Sequence, residues 1–251
     1  MTRQIIRIAG PDRAAFLQGL VTNDVRRAPC WAALLTPQGK YLADFLIVPQ
    51  DDSVPQGDSV PQGGALLLDV DARLADDLIR RLTMYRLRSN VTIEAVDMPV
   101  ARGTGPAPEG AIADPRHAAL GWRLYGAAGE DGSDWDAIRV AHCIPETLIE
   151  LIPNETFILE AGFDRLNGVD FRKGCYVGQE VTARMKHKTE LRKGLRVLRI
   201  EGEAPTGTPI TRDGREIGTL FTRSDAQVIA HIRFDRLGEG MEAGKARLFA
   251  D

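Results

Sequence analysis

Two hydrophobic periods alternate along the first hundred residues. Ile5–Ile8 reads as a short strand, and Asp12 stands where an N-cap would open a helix running to about Val21. Phe16, Leu17 and Leu20 share one face of that helix. Trp31–Leu35 and Tyr41–Val48 are apolar, strand-like runs. The Thr36-Pro37-Gln38-Gly39 segment between them suits a type I turn, so the pattern predicts a hairpin. Ala65–Val70 reads as a strand. Ala72–Met84 carries Leu74, Leu78, Ile79 and Leu82 as a helical stripe, and Val91–Val96 returns to strand periodicity. Hairpins followed by this β-α-β order predict an α+β layer with helices on one face of a largely antiparallel sheet.

Pro99–Pro115 is rich in Pro, Gly and Ala and reads as a linker between subdomains. A strand at Leu120–Tyr125 and a helix near Trp135–His142 follow. The hexapeptide DSVPQG occurs twice in tandem, at Asp52–Gly57 and Asp58–Gly63, and reads as an expanded surface loop. From about Gly194 the texture changes to short β-type runs at Leu195–Ile200, Pro209–Thr211, Glu216–Thr222 and Gln227–Ile232, with Asp213-Gly214 as a hairpin signal. These predict a small C-terminal barrel or sandwich, with a domain boundary near residue 193.

Composition narrows the function classes. The 251 residues carry 32 Lys and Arg against 35 Asp and Glu, a net charge of −3, which argues against direct nucleic-acid binding. No apolar run approaches the ~20 residues of a membrane span, so no membrane partner is expected. Three widely spaced cysteines, Cys30, Cys143 and Cys175, argue against a disulfide scaffold and for a reducing, cytoplasmic setting. A conventional all-cysteine iron–sulfur site takes about four thiolates, so no resident cluster is expected. The four histidines are scattered without metal-ligand spacing, and neither a Ser-His-Asp arrangement nor a phosphate-binding glycine loop is present.

The densest chemistry is Arg172-Lys173-Gly174-Cys175-Tyr176-Val177-Gly178-Gln179-Glu180, continuing to Arg184 and Lys186. Two glycines bracketing a thiol let the backbone bend sharply and leave room beside the sulfur. Preceding cations and a helix start near Gln179 would both favour the thiolate. The alternative is a small buried hydrophobe in a turn. Glu180 and Arg184, four apart, form a local ion pair or face the thiol. The basic run Arg184–Lys188, with Arg192 and Lys193 after it, is either a solvated helix face or an attractor for anions.

KGCYVGQE resembles the signature of the YgfZ family, folate-binding relatives of the glycine-cleavage aminomethyltransferase that support iron–sulfur protein maturation. Phe16–Val25 (FLQGLVTNDV), Pro37–Val48 (PQGKYLADFLIV), Arg86–Ser89, Ile144-Pro145-Glu146 and Glu160-Ala161-Gly162 match further family segments in order. The resemblance implies interleaved α+β domains of the aminomethyltransferase-like folate-binding fold over 1–193, with 40–98 forming much of the second, and a β-barrel over 194–251. It implies tetrahydrofolate or a derivative as cofactor, and iron–sulfur client or assembly proteins as partners. Cys175 becomes the working thiol. Asn23, Asp24, Tyr85, Glu160, Lys173, Gly174, Tyr176, Gly178, Gln179, Glu180 and Arg184 become candidate folate-site residues. Asn23 and Asp24 can equally cap a turn, Tyr85 can belong to the core, and Glu160 can cap a turn.

The departures from the family pattern matter. Aminomethyltransferases carry paired aspartates where this chain has Ala43-Asp44, which weighs against their one-carbon chemistry. Cys143 stands where relatives usually have glycine, and Cys30 reads as core. Lys188-Thr189 replaces the Arg-Gly many relatives carry after the signature. The expectation is therefore an accessory protein for iron–sulfur assembly or repair. A folate-dependent methyl- or aminomethyltransferase, or a demethylase, is the alternative.

Overall fold

The computed structural model describes residues 2–50, 64–188 and 190–250; the DSVPQG repeat lies outside them. The chain divides into two compact units, Met1–Ser133 with Asp164–Glu180, and Asp134–Phe163 with Val181–Asp251. The residue-193 position is the first residue of a barrel strand, and the second unit adds 134–163 to that barrel.

The first unit is built on β1 (Arg3–Ala9), α1 (Arg13–Gln18), β2 (Cys30–Leu35), β3 (Tyr41–Gln50), β4 (Ala65–Asp71), α2 (Ala72–Arg86) and β5 (Thr92–Val96). Strands β1 to β5 form an antiparallel sheet in the order β2-β3-β4-β1-β5. Every residue of β2 and β4 is buried, which explains why both read as continuous apolar runs rather than alternating ones. The β2–β3 hairpin closes through the predicted turn, with Gly39 N donating to Thr36 O at 2.8 Å. Asp71 caps α2 by accepting from Arg73 N. Ala75, Leu78 and Leu82 of that helix join Ile6, Phe45 and Leu68 in one buried hydrophobic core.

α1 is shorter than expected and stops at Gln18. Asp12 does not cap it, because its carboxylate accepts from Asn90 N at 2.7 Å instead. Leu20 and Val21 are buried in the turn that follows.

Residues 99–115 are not a linker. β6 (Val100–Gly103) and β7 (Ile112–Ala113) join β8 (Trp122–Tyr125) and β9 (Gly129–Glu130) in a sheet ordered β7-β8-β6-β9. Composition missed this because buried ion pairs help hold the region. Arg123 donates to Asp114 at 3.1 Å and to Asp69 of β4 at 2.9 Å, and Arg116 also grips Asp114.

In the second unit, α3 (Trp135–His142) precedes the 144–163 segment. α4 (Gln179–Lys188), whose first two residues belong to the first unit, then leads to β10 (Lys193–Glu201), β11 (Pro209–Arg212), β12 (Arg215–Ser224), β13 (Gln227–Arg233), β14 (Met241–Ala243) and β15 (Ala246–Phe249). These six strands close a barrel in the order β10-β13-β12-β11-β14-β15. The last two, of three and four residues, lie outside the β-type runs read from the sequence. Leu198, Ile210, Leu220, Val228, Ile232 and Leu248 fill its interior. Arg139 of α3 and Glu150 lock onto β12: Arg139 donates to Glu150 and to Thr222 Oγ1, and Thr222 Oγ1 donates to the buried Glu150 carboxylate.

Candidate functional site

The thiol loop lies in the first unit and is anchored at both ends. Lys173 is buried and turns inward, and its Nζ donates to Gln18 O and to Val21 O, both at 2.6 Å. Burial lowers its pKa to about 8, only partly offset by the nearby Asp24 carboxylate. The ammonium also sits 5.0 Å from the centroid of the buried Tyr176 ring. Lys173 is thus an anchor whose charge is spent on backbone carbonyls, and Arg172 is the exposed cation beside the thiol.

Between the anchors Gly174 and Cys175 are exposed. Gly174 has φ +100 and open space where a side chain would begin, whereas Gly178 has φ +82 and touches the β2–β3 turn. A Cβ on Gly178 would lie 2.6 Å from Thr36 O, so only glycine lets the loop approach this closely. Gln179 follows as the first residue of α4, where Glu180 and Arg184 stand exposed one turn apart.

The FLQGLVTNDV segment and the signature are knitted together. Thr22 Oγ1 donates to Gly168 O at 2.7 Å and accepts from Ala33 N, while Thr22 O accepts from Asp170 N. Asn23 Nδ2 donates to Trp31 O and Asn167 O, and its Oδ1 accepts from Asp24 N. Asp24 caps a turn by accepting from Arg26 N, and the Arg26 guanidinium holds its carboxyl down at about 2. Asn23 and Asp24 therefore spend their polar atoms on the loop scaffold. Gln18, Thr22 and Asp170 are further scaffold residues, which residue type alone does not mark. The usable signal was Asp170 two residues before Arg172, whose N–H it caps at 2.7 Å.

The other thiols differ from Cys175. Cys30 is buried, with Sγ 3.8 Å from Asp24 O, and burial pushes it up to about 12. Cys143 is half-buried and ends α3 in the left-handed conformation, φ +50, which explains why glycine suits that position. Asp44, beside the buried Ala43, accepts from Trp31 Nε1 at 2.9 Å and Tyr41 Oη at 2.7 Å.

Glu160 belongs to the second unit. Its Oε2 lies 3.1 Å from His231 Nε2 and 3.6 Å from Lys193 Nζ, while no hydrogen bond reaches Oε1 among the described residues. Tyr85 is half-exposed at the end of α2, in an open groove with Asp12, Leu87, Arg88 and Ser89. Among the described residues no three metal-ligating side chains gather to hold an ion, and no helix is long and apolar enough to cross a membrane.

Residues 192–251 match the family model described as the CAF17 C-terminal beta-barrel domain. The chain is similar to the human protein named iron-sulfur cluster assembly factor IBA57, mitochondrial, with 34% identity over 86% of this chain and 71% of that one. The mouse protein of that name is 34% identical over 81% of this chain, and the Neurospora crassa homologue is likewise 34% identical over 81%. The chain spans 66% of the mouse protein and 54% of the Neurospora one. In fold it resembles the aminomethyltransferase T of the Bartonella henselae glycine cleavage system, with TM-score 0.75, 11% identity, and coverage of 98% of this chain and 81% of that one. The architecture is thus the aminomethyltransferase-like α+β fold with a C-terminal barrel. The cytoplasmic expectation does not stand, because these relatives are named as mitochondrial. A sparse cysteine count argues against a disulfide scaffold and does not identify a compartment. The ordered motifs, the barrel and 34% identity across 71% of the human relative together place the chain in the IBA57 family, within the wider YgfZ family.

Proposed function

We propose that the chain assists iron–sulfur cluster assembly or repair in other proteins, with Cys175 as the working thiol and tetrahydrofolate as a bound cofactor. The observation that carries this reading is the exposure of Cys175 on a loop whose two ends are fixed by Lys173 and Gly178. A fixed backbone with a free thiol suits a ligand that is offered and withdrawn. Deprotonated Cys175 supplies one thiolate to iron or to a cluster in transit, and the client or assembly partner supplies the rest.

Folate binding is supported by the likeness to an aminomethyltransferase and by Glu160. Its Oε1 is open while Oε2 is held by His231 and Lys193, so the carboxylate is oriented and can accept N–H donors of a pterin. The transferase alternative is disfavoured at Asp44. That carboxylate accepts from Trp31 and Tyr41, and its expected acidic neighbour is Ala43.

The test is Cys175→Ala in a strain lacking the native protein, read by the activities of its iron–sulfur enzymes. We expect those activities to fall to the level of the deletion while tetrahydrofolate binding by the purified variant is retained. Normal activities would overturn the role of Cys175. Turnover of a folate adduct by the purified wild type would replace the accessory reading with the transferase one. Glu160→Gln should weaken tetrahydrofolate about tenfold, the loss of one charge-assisted hydrogen bond.

A further inference from the structure

Three large hydrophobic side chains are exposed among the described residues, and all three lie within four positions. Met84 is 69%, Tyr85 39% and Leu87 87% exposed. Scattered single exposed apolar residues need no explanation, but a contiguous cluster marks a contact surface.

The backbone presents this cluster. α2 buries Ala75, Leu78 and Leu82 on its inner face, and its last turn turns Met84 and Tyr85 outward. Leu87 then takes φ +43 and ψ −107, a conformation L residues rarely adopt, with its side chain almost fully in solvent. Strain held at a fully exposed leucine has no packing reward within the chain. Behind it runs an open groove of about 740 Å³ lined by Asp12, Tyr85, Leu87, Arg88 and Ser89.

The charge around the cluster is predominantly basic, with Asp12, whose carboxylate accepts from Asn90 N, as the acid among the groove's lining residues. Residues 80–90 hold four arginines and no acidic residue. Arg80 and Arg81 are paired with Asp77, whereas Arg86 and Arg88 are exposed and make no ion pair among the described residues.

We propose that the end of α2 is a docking surface for a partner protein that presents an acidic segment with an apolar anchor. The anchor seats in the groove against Tyr85 and Leu87, and the acidic residues meet Arg86 and Arg88. Desolvated apolar and aromatic contacts beside arginine are the usual composition of an interface centre. An anionic membrane fits less well, because the apolar exposure is confined to one helical turn. The outer face of α2 before it carries Asp76, Asp77 and Arg80, so it offers no stripe to lie in a bilayer surface. The proposal is independent of Cys175, and its failure would leave the thiol reading intact.

The probes are labelled short acidic peptides with Leu, Phe or Tyr at the centre, and their Gln/Asn analogues, measured by fluorescence anisotropy against the full chain. At least one acidic peptide should bind. Its affinity should fall about tenfold in Leu87→Ser, in Arg88→Glu and with the neutral analogue, and remain unchanged in Cys175→Ala. Leu87 and Arg88 are exposed, so both variants should fold, which a urea melt would check. Several results would overturn the proposal: no binding by any acidic peptide, or binding indifferent to both substitutions. Dimerisation in sedimentation velocity that Leu87→Ser abolishes would assign the surface to a second copy. Pelleting with phosphatidylglycerol vesicles that the same variant abolishes would assign it to lipid. Competition by tetrahydrofolate would assign the groove to the cofactor.

Discussion

Lys173 and Gln18 bond each other reciprocally across 155 positions of chain: Lys173 Nζ donates to Gln18 O at 2.6 Å, and Gln18 Nε2 donates to Lys173 O at 3.4 Å. Two segments that look like separate motifs in the sequence are therefore one structural device. Lys173→Met keeps the aliphatic stem and leaves two carbonyls without their donor. It should destabilise the chain by about 1–3 kcal/mol, read from the urea midpoint.

The same residue sets a pH dependence with an uncommon sign. Burial lowers Lys173 to about 8 from an unfolded value of 10.5, so between those limits the unfolded chain binds more protons than the folded one. Stability of the wild type relative to Lys173→Met should be flat below about pH 8 and rise towards 10.5. A fall across that window would mean that ion pairing, rather than burial, governs the ammonium.

The three thiols should react in a fixed order. In the native state iodoacetamide should modify the exposed Cys175 first and the half-buried Cys143 more slowly. Cys30, held protonated by burial, should react only after denaturation. Peptide mapping over a labelling time course reads this directly, and early labelling of Cys30 would refute its place in the core.

Gly178→Ala and Gly174→Ala separate two uses of glycine in one loop. At Gly174 the new methyl meets open space, and only the positive φ opposes it, a cost of about 1 kcal/mol. At Gly178 the methyl also strikes the backbone of the β2–β3 turn, so the loss should be larger, about 2–3 kcal/mol. Equal midpoints for the two variants would show that the turn yields without cost.

Much of this was legible in the chain. The strands β1 to β4, α2 and four barrel strands announced themselves through period, because each buries one face or is buried throughout, and β5 did so with Ile93 only partly buried against the core. Cys175 stood out because glycines at 174 and 178 flank it. The region 99–115 was misread as a linker, since its sheet is partly stabilised by charges far apart in sequence, such as Asp69 with Arg123. Asn23 and Asp24 illustrate the other limit. Their residue types announce hydrogen bonding, but only the fold reveals that the partners are Trp31, Asn167 and Arg26 rather than solvent.

The Asp69 network yields the largest expected stability effect. Asp69 has no exposed side-chain surface and accepts from Arg3 Nε at 2.6 Å, Arg123 Nη1 at 2.9 Å and Tyr125 Oη at 3.0 Å. Burial would raise its pKa, but the Arg3 and Arg123 guanidiniums overcome this and hold it below the ordinary carboxylate range. Asp69→Asn removes the charge and leaves Arg123, itself buried, with Asp114 as its remaining acid among the described ion pairs. Breaking a buried pair from one side costs about 3–5 kcal/mol. Arg3→Met should cost less, because Arg3 is partly exposed and Arg123 stays paired. A depressed carboxylate contributes stability above its unfolded pKa and loses it as pH falls through its folded one. The gap between wild type and Asp69→Asn should therefore be full at pH 7 and begin to narrow below about pH 4. A gap that stays constant into strong acid would mean that shape, rather than charge, makes Asp69 necessary.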